Sequence, residues 1–360
     1  MSLKLGSTAA PLCLCLCLIL AFPVRAASPA EQELKSQIDG VLDKLEKASH
    51  GFLKWEGADR IEIRQEGDAA VANIANARVS IGSPEAKAGQ ERAHVTFDHI
   101  EIRRTPGPEG AAKLAAKLPR EATLQTTDGN EIKLTLKDAT GEAVIDAKSG
   151  RARESALAFA GARIADKKSG DWVSFGPLSF SSKVVGAADG GWTSPIDFEL
   201  KQIEFFFAKA PVAGAIDRIS YGARSAGPDL AALDRLRDEL DALREKDDAP
   251  PKERMDALVA LLPSIPALFS QAKGELAVEG VVARAPTGEP YVALAKASMG
   301  GTLTGLSGDT AALRITLQHD GLTLAPAILD PARVPRRATL DFGVEEVATG
   351  PVAPEASLGY

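Results

Sequence analysis

No cysteine follows residue 17 in this 360-residue chain; Cys13, Cys15 and Cys17 are the whole complement. They alternate with Leu12, Leu14, Leu16 and Leu18, with no histidine or carboxylate nearby, so they do not form the converging ligand set that zinc requires. Each follows a leucine, whereas a lipid-modified cysteine follows a small residue, so lipidation is not expected. A long hydrophobic run is also missing. The apolar stretch from Pro11 to Phe22 falls short of the roughly 20 residues that cross a bilayer. With Lys4 before it and Val24-Arg25-Ala26 after it, the stretch predicts a cleaved secretory signal over residues 1–26. An exported chain without cysteine cannot be stapled by disulfides and must rely on a packed core.

Positive charge is scarce. Lys and Arg number 42 against 49 Asp and Glu, a formal net charge of −7, and loss of residues 1–26 would remove Lys4 and Arg25 but no carboxylate. That balance argues against nucleic acid, for which a basic patch is expected, and no run of Lys or Arg suits an anionic membrane surface. Catalytic signatures are absent too. No G-x-S-x-G elbow occurs, and Gly305-Leu306-Ser307-Gly308-Asp309 lacks the final glycine. Neither a dinucleotide nor a P-loop glycine pattern is present, so no cofactor is implied. The four histidines are His50, His94, His99 and His319; His94, Asp98 and His99 offer three ligand types in six residues, but without a spacing that fixes metal geometry. Glu345-Glu346 and Asp247-Asp248 are adjacent pairs in polar settings, not carboxylates held across a cleft. No catalytic residue and no metal ligand is assigned.

What is present is periodicity. Leu34, Ile38, Val41, Leu42 and Leu45 recur at helical spacing after Ser28-Pro29, predicting a helix to about Lys47. From Arg60 the period becomes two, as in Ile61 and Ile63, Val79 and Ile81, and Ile132, Leu134 and Leu136. Asp128-Gly129 and Asp320-Gly321 each sit between apolar alternations and predict hairpins, the second joining Leu313, Ile315 and Leu317 to Leu322 and Leu324. Consecutive strands should pair as neighbours.

One broken alternation recurs: Val95-x-Phe97-x-x-Ile100-x-Ile102, Val173-x-Phe175-x-x-Leu178-x-Phe180, Phe198-x-Leu200-x-x-Ile203-x-Phe205 and Leu276-x-Val278-x-x-Val281-x-Ala283. An extra residue in a strand either flips the second half or is absorbed by a bulge that keeps one face apolar. Bulges repeated across strands would bend the sheet. The alternative is two short strands joined by a corner.

Between the β regions, Pro228-Asp229 opens a helix striped by Leu230, Leu233, Leu236, Leu240 and Leu243. Pro250-Pro251 ends it, and Met255, Leu258, Val259 and Leu262 stripe a second helix, giving a helical hairpin whose Arg235 to Asp248 charges form a solvated face. The strand around Leu340, Phe342 and Val344 leads into Gly350-Pro351, where the chain has the look of a linker or truncated end.

The β regions carry many phenylalanines. Phe205-Phe206-Phe207 must place one ring opposite its neighbours. If both sheet faces are covered, such rings are core; if one face is a groove, Phe97, Phe175, Phe180, Phe198, Phe205 and Phe207 are the candidates to meet an acyl chain.

The stretches "SFGPLSFSSKVVG", "DFELKQIEFFF", "LLPSIPALFSQAKGELAVEG" and "ARVPRRATLDFGVEEV" resemble bacterial AsmA-like and YdgA-like envelope proteins over most of residues 60–347. The resemblance implies a periplasmic location, a taco-like sheet and a role with lipid or in outer-membrane homeostasis. The expected fold is mainly β with α insertions, a large curved antiparallel sheet, taco-like or a half-open barrel, plus a helical hairpin. The expected order is signal peptide (1–26), helix and lead-in (27–59), β region (60–227), helical hairpin (228–272), second β region (273–350) and linker (351–360). The expected function is non-enzymatic binding or conveying of a lipid or other apolar envelope component. The alternative is an envelope scaffold that docks a protein partner through sheet edges and the helical hairpin.

Overall fold

Alternation of apolar and polar residues governs the chain from Leu53 to Ala348 and folds it into one 20-stranded antiparallel sheet, ring-like without being a regular barrel. The structure, a computed structural model, describes residues 34, 38, 40, 53–82, 93–107, 110–126, 130–146, 152–245, 255–257, 259–260, 268–305, 310–326 and 328–348. The expected signal peptide, Asp128-Gly129 and the linker at 351–360 lie outside them.

The sheet is a meander of long strands, most of them broken once near the middle. β1 (Leu53–Gly57) and β2 (Arg60–Glu66) both pair with β3 (Ala69–Ile81), which pairs with β4 (Ala93–Pro106). On β4 lie β5 (Ala112–Lys117) and β6 (Glu121–Gln125), followed by β7 (Glu131–Lys137) with β8 (Thr140–Ile145) and then β9 (Ala152–Phe159) with β10 (Gly161–Asp166). Next come β11 (Trp172–Phe175), β12 (Leu178–Lys183) and the short β13 (Val185–Gly186), all running towards or along β14 (Trp192–Phe207). β15 (Val212–Gly227), β16 (Gln271–Arg284), β17 (Pro290–Thr304), β18 (Thr310–Asp320), β19 (Thr323–Leu324) and β20 (Arg337–Ala348) complete it. β15 and β16 pair from Ala213↔Arg284 to Ala226↔Gln271, so the helical insertion between them interrupts the chain but not the sheet. Among the described residues β20 pairs only with β18, and β1 and β2 only with β3, so hydrogen bonds do not close the ring.

The breaks line up. Between β14 and β15 the pairing passes from Lys201↔Arg218 to Ile203↔Ile216, between β16 and β17 from Glu279↔Lys296 to Val281↔Leu294, and β17 passes from β18 at Lys296↔Asp320 to β19 at Ala293↔Thr323. Gln202, Asp217, Gly280, Ala295 and Gly321 are therefore neighbouring corners on one crease. Asn76, Asp138 and Gln202 take positive φ of 51°, 51° and 53°, and Gly280 takes 66°, a conformation that short polar side chains and glycine tolerate best. A corner uses one residue without flipping the face, so Val95, Phe97 and Ile100 are all buried together. The second reading of the broken alternation holds: the strands are segments joined at a shared corner, and the connection between β5 and β6 lies opposite residues 98–100 of β4.

One expected hairpin is corrected. β18 and β19 both pair with β17, so the chain does not reverse at Asp320-Gly321 but bends and continues. Gly321 supplies one positive φ, of 69°, which suits a corner; the two-residue turn would need two. Reversal comes after Pro331–Arg333, a short 3-10 turn, when β20 returns along β18.

The helix predicted after Pro228 is α1 (Leu230–Glu245). Asp229 caps it by accepting the Ala232 amide at 3.0 Å, Leu233 is buried, and Arg235, Asp238 and Glu239 are exposed. Arg153 on β9 donates to Asp234 at 2.7 Å and ties α1 to the sheet. Residues 255–257 and 259–260 are also helical, but Met255 and Val259 are exposed rather than packed. Leu34 and Ile38 lie in helix and are buried in the core.

Candidate functional site: an apolar sheet face that emerges from the core

Side chains directly opposite each other on paired strands share a face, so the register traces continuous rungs across the whole sheet. One runs Ala77, Phe97, Ala122, Leu134, Ile164, Val173, Phe205, Gly214, Ala283, Val292, Leu324, apolar or glycine from β3 to β19. Across the crease another runs Leu157, Phe180, Phe198, Tyr221, Leu276, Met299, Leu317, Leu340. Both belong to the inner face. Its first part is sealed: Phe97, Ile100, Leu134, Leu136, Leu157 and Ile164 share one core cluster with Leu34 and Ile38.

Towards β20 the same face is uncovered. Leu157 is 5% exposed, whereas Met299 is 51%, Phe342 54% and Leu340 63% exposed. Small residues deepen the uncovered part. The rung Ala223, Gly274, Gly301, Ile315, Phe342 places two glycines side by side. They floor a trough of about 420 Å³ walled by Tyr221, Leu276, Met299 and Leu303. A second trough of about 410 Å³ adjoins it through Leu276 and Met299 and runs to Leu317 and Leu340.

The opposite face is polar and carries ion pairs. Its rung Lys201, Arg218, Glu279, Lys296, Asp320, Arg337 alternates in sign from Arg218 onward. Arg218 meets Glu199 at 2.8 Å, Lys296 meets Glu279 at 3.3 Å and Arg337 meets Asp320 at 2.8 Å. The hydrogen bond from Arg337 holds the Asp320 carboxyl below its usual range, and that from Lys201 does the same for Glu199. Such exposed pairs add little stability each. A depression of about 720 Å³ there is lined by Asp197, Glu199, Arg218, Arg224, Lys273 and Lys296 among others.

The expected site residues divide. Phe97 is 2% exposed and belongs to the sealed core. Phe175 and Phe180 are half-buried against that core. Phe198, Phe205 and Phe207 are half-buried on the emerging part of the face, with the Phe205 and Phe207 rings 5.4 Å apart and Phe206 on the other side. Phe205 lies over Gly214, where a β-carbon would come within 2.3 Å of its ring. The uncovered residues that the structure adds are Tyr221, Leu276, Met299, Leu317, Leu340 and Phe342. Their alternation is visible in the sequence; their lack of a cover is not.

His94 Nδ1 donates to the Glu56 carboxylate at 2.9 Å, and His99 is exposed at the corner beside Asp98. Among the described residues no group of three His, Cys, Asp or Glu side chains is placed to hold a metal ion, and no helix is long and apolar enough to cross a membrane. The sequence matches no protein-family model and no curated protein.

Proposed function

We propose that this chain is a periplasmic, non-enzymatic binder or conveyor of a lipid or another apolar envelope component, which lies along the inner face of β14–β20. The observation that carries this reading is the continuity of apolar rungs from a sealed core onto an uncovered face with glycine-floored troughs. Apolar ligands are held by concave, mostly hydrophobic walls of a few hundred cubic ångströms, and contiguous apolar surface of this kind marks a binding face. Placement beside the AsmA-like and YdgA-like envelope proteins belongs to the same proposal and rests on sequence pattern. Delipidated protein titrated with a fluorescent fatty acid and a fluorescent phospholipid should show saturable uptake at micromolar concentration. Absence of uptake of both would overturn the reading.

The scaffold reading has one observation in its favour: β20 has a partner on one side only among the described residues. An unpaired strand edge is a template for a strand from another protein. Removal of residues 229–267, which spares all of β16, would leave lipid uptake intact under the carrier reading.

A further inference from the structure

The inner face of β14–β20 carries aliphatic, aromatic, small or hydroxyl side chains at every rung position but one. On the rung Phe159, Leu178, Leu200, Ile219, Val278, Ala297, His319, Ala338, an imidazole stands where alternation along β18 had placed Leu313, Ile315 and Leu317. The ring of His319 lines the second trough, with Val278, Met299, Leu317 and Leu340. Its Nδ1 is buried and has no hydrogen-bond partner. Asp320 points to the other face and pairs with Arg337, and it acts on the imidazole only through space, without a hydrogen bond.

A purely apolar wall would be better served by leucine at this position, because a buried polar atom left unpaired is destabilising. We propose that His319 anchors the head of an amphipathic ligand bearing an anionic oxygen, a carboxylate or a phosphate monoester, whose hydrocarbon tail lies over the neighbouring rungs. The inference rests on the groove reading above and names its ligand class. The donor is Nε2–H, since the enclosed Nδ1 is out of a ligand's reach, and a charged acceptor makes that bond stronger than a neutral one. Tail and head are then recognised by different residues, which is what fixes an otherwise sliding chain in one register.

Three probes with the same tail separate the possibilities: palmitate, hexadecyl phosphate and hexadecanol, each competed against a fluorescent fatty acid on the full, delipidated chain. His319→Leu should weaken an anionic probe by about tenfold or more, as expected for a hydrogen bond to a charged group, and leave hexadecanol unchanged. His319→Gln, which keeps a donor, should retain part of the affinity. Loss confined to palmitate identifies a carboxylate head, loss confined to hexadecyl phosphate identifies a phosphate head, and loss of both supports the shared chemistry. The thermal midpoint of His319→Leu should be unchanged or higher. Equal weakening of all three probes, no weakening of any, or a lowered midpoint would overturn the anchor while leaving the groove standing. Failure of the unmodified protein to bind any of the three would instead overturn the groove reading itself.

Discussion

The two ends of this sheet are built from the same strand grammar and end in opposite states. Between β3 and β10 the inner face is filled by Phe97, Ile100, Leu124, Leu134, Leu136 and Ile164 and closed by Leu34 and Ile38. Between β15 and β20 the equivalent positions hold Ala223, Gly274, Gly301 and Ala297, and the larger side chains among them stand half in solvent. Alternation alone makes both faces; residue volume and the presence of a cover decide which becomes core. A packed interior resists unfolding, whereas an open apolar face leaves contact area exposed.

That contrast can be broken most sharply at two phenylalanines. Phe97→Ala should cost about 3–5 kcal/mol in denaturant unfolding, the cost of a cavity in a packed core. Phe342→Ala, at a comparable position on the open face, should stay within about 0.5 kcal/mol of the unmodified protein. Equal losses at both sites would show that the C-terminal face is covered in solution.

Filling the trough is the next test. A β-carbon on Gly274 would meet its nearest atoms at 3.7 Å and one on Gly301 at 3.9 Å, both ordinary contact, so the backbone admits a side chain at the two positions. Gly274→Val with Gly301→Val should hold or raise the unfolding midpoint, because glycine weakens a strand interior. It should also lower fatty-acid uptake by about tenfold or more, if the lost contact area is worth at least ~1.4 kcal/mol. Undiminished uptake would move the ligand elsewhere.

A smaller effect is expected at the join between sheet and insertion. Asp234→Ala removes the closer of Arg153's two acidic partners, a pair 19% and 22% exposed, and should cost about 1–2 kcal/mol, a charged hydrogen bond discounted for partial solvation. Hydrogen exchange should quicken in α1 and leave β3 and β4 unchanged.

The smallest effect concerns pH. Burial raises the Asp166 carboxyl, but the amides of Ser169 and Lys168 and the Asn130 side chain outweigh it and bring the group below its ordinary value. A carboxylate depressed in the folded state stabilises above its unfolded pKa, and that contribution fades as pH falls through the lower folded value. Acidification below about pH 4 should therefore loosen the turn between β10 and β11, and Asp166→Asn should remove this pH dependence. Amide exchange at residues 166–171, measured across that range, checks it.

Much of the fold was legible because its determinants are local. Period-two alternation located the strands, the Pro228-Asp229 start located α1, and the broken alternation around Phe97 and Phe205 located the crease. Gly321 was legible as a place where the chain turns, but not as a corner, because one glycine serves either geometry and the choice depends on which strand lies alongside. The candidate site was half legible: Phe198, Phe205 and Phe207 lie on the emerging face, whereas Phe97 has the same local pattern and is sealed. Leu276, Met299 and Leu340 stand out only once register sets them on one rung.

Which residues point together was settled by the sequence itself, since side-chain direction in a strand follows from backbone geometry one residue at a time. Whether anything sits over them was decided by tertiary structure, because a cover comes from segments distant in the chain, and no short-range pattern records whether they arrive.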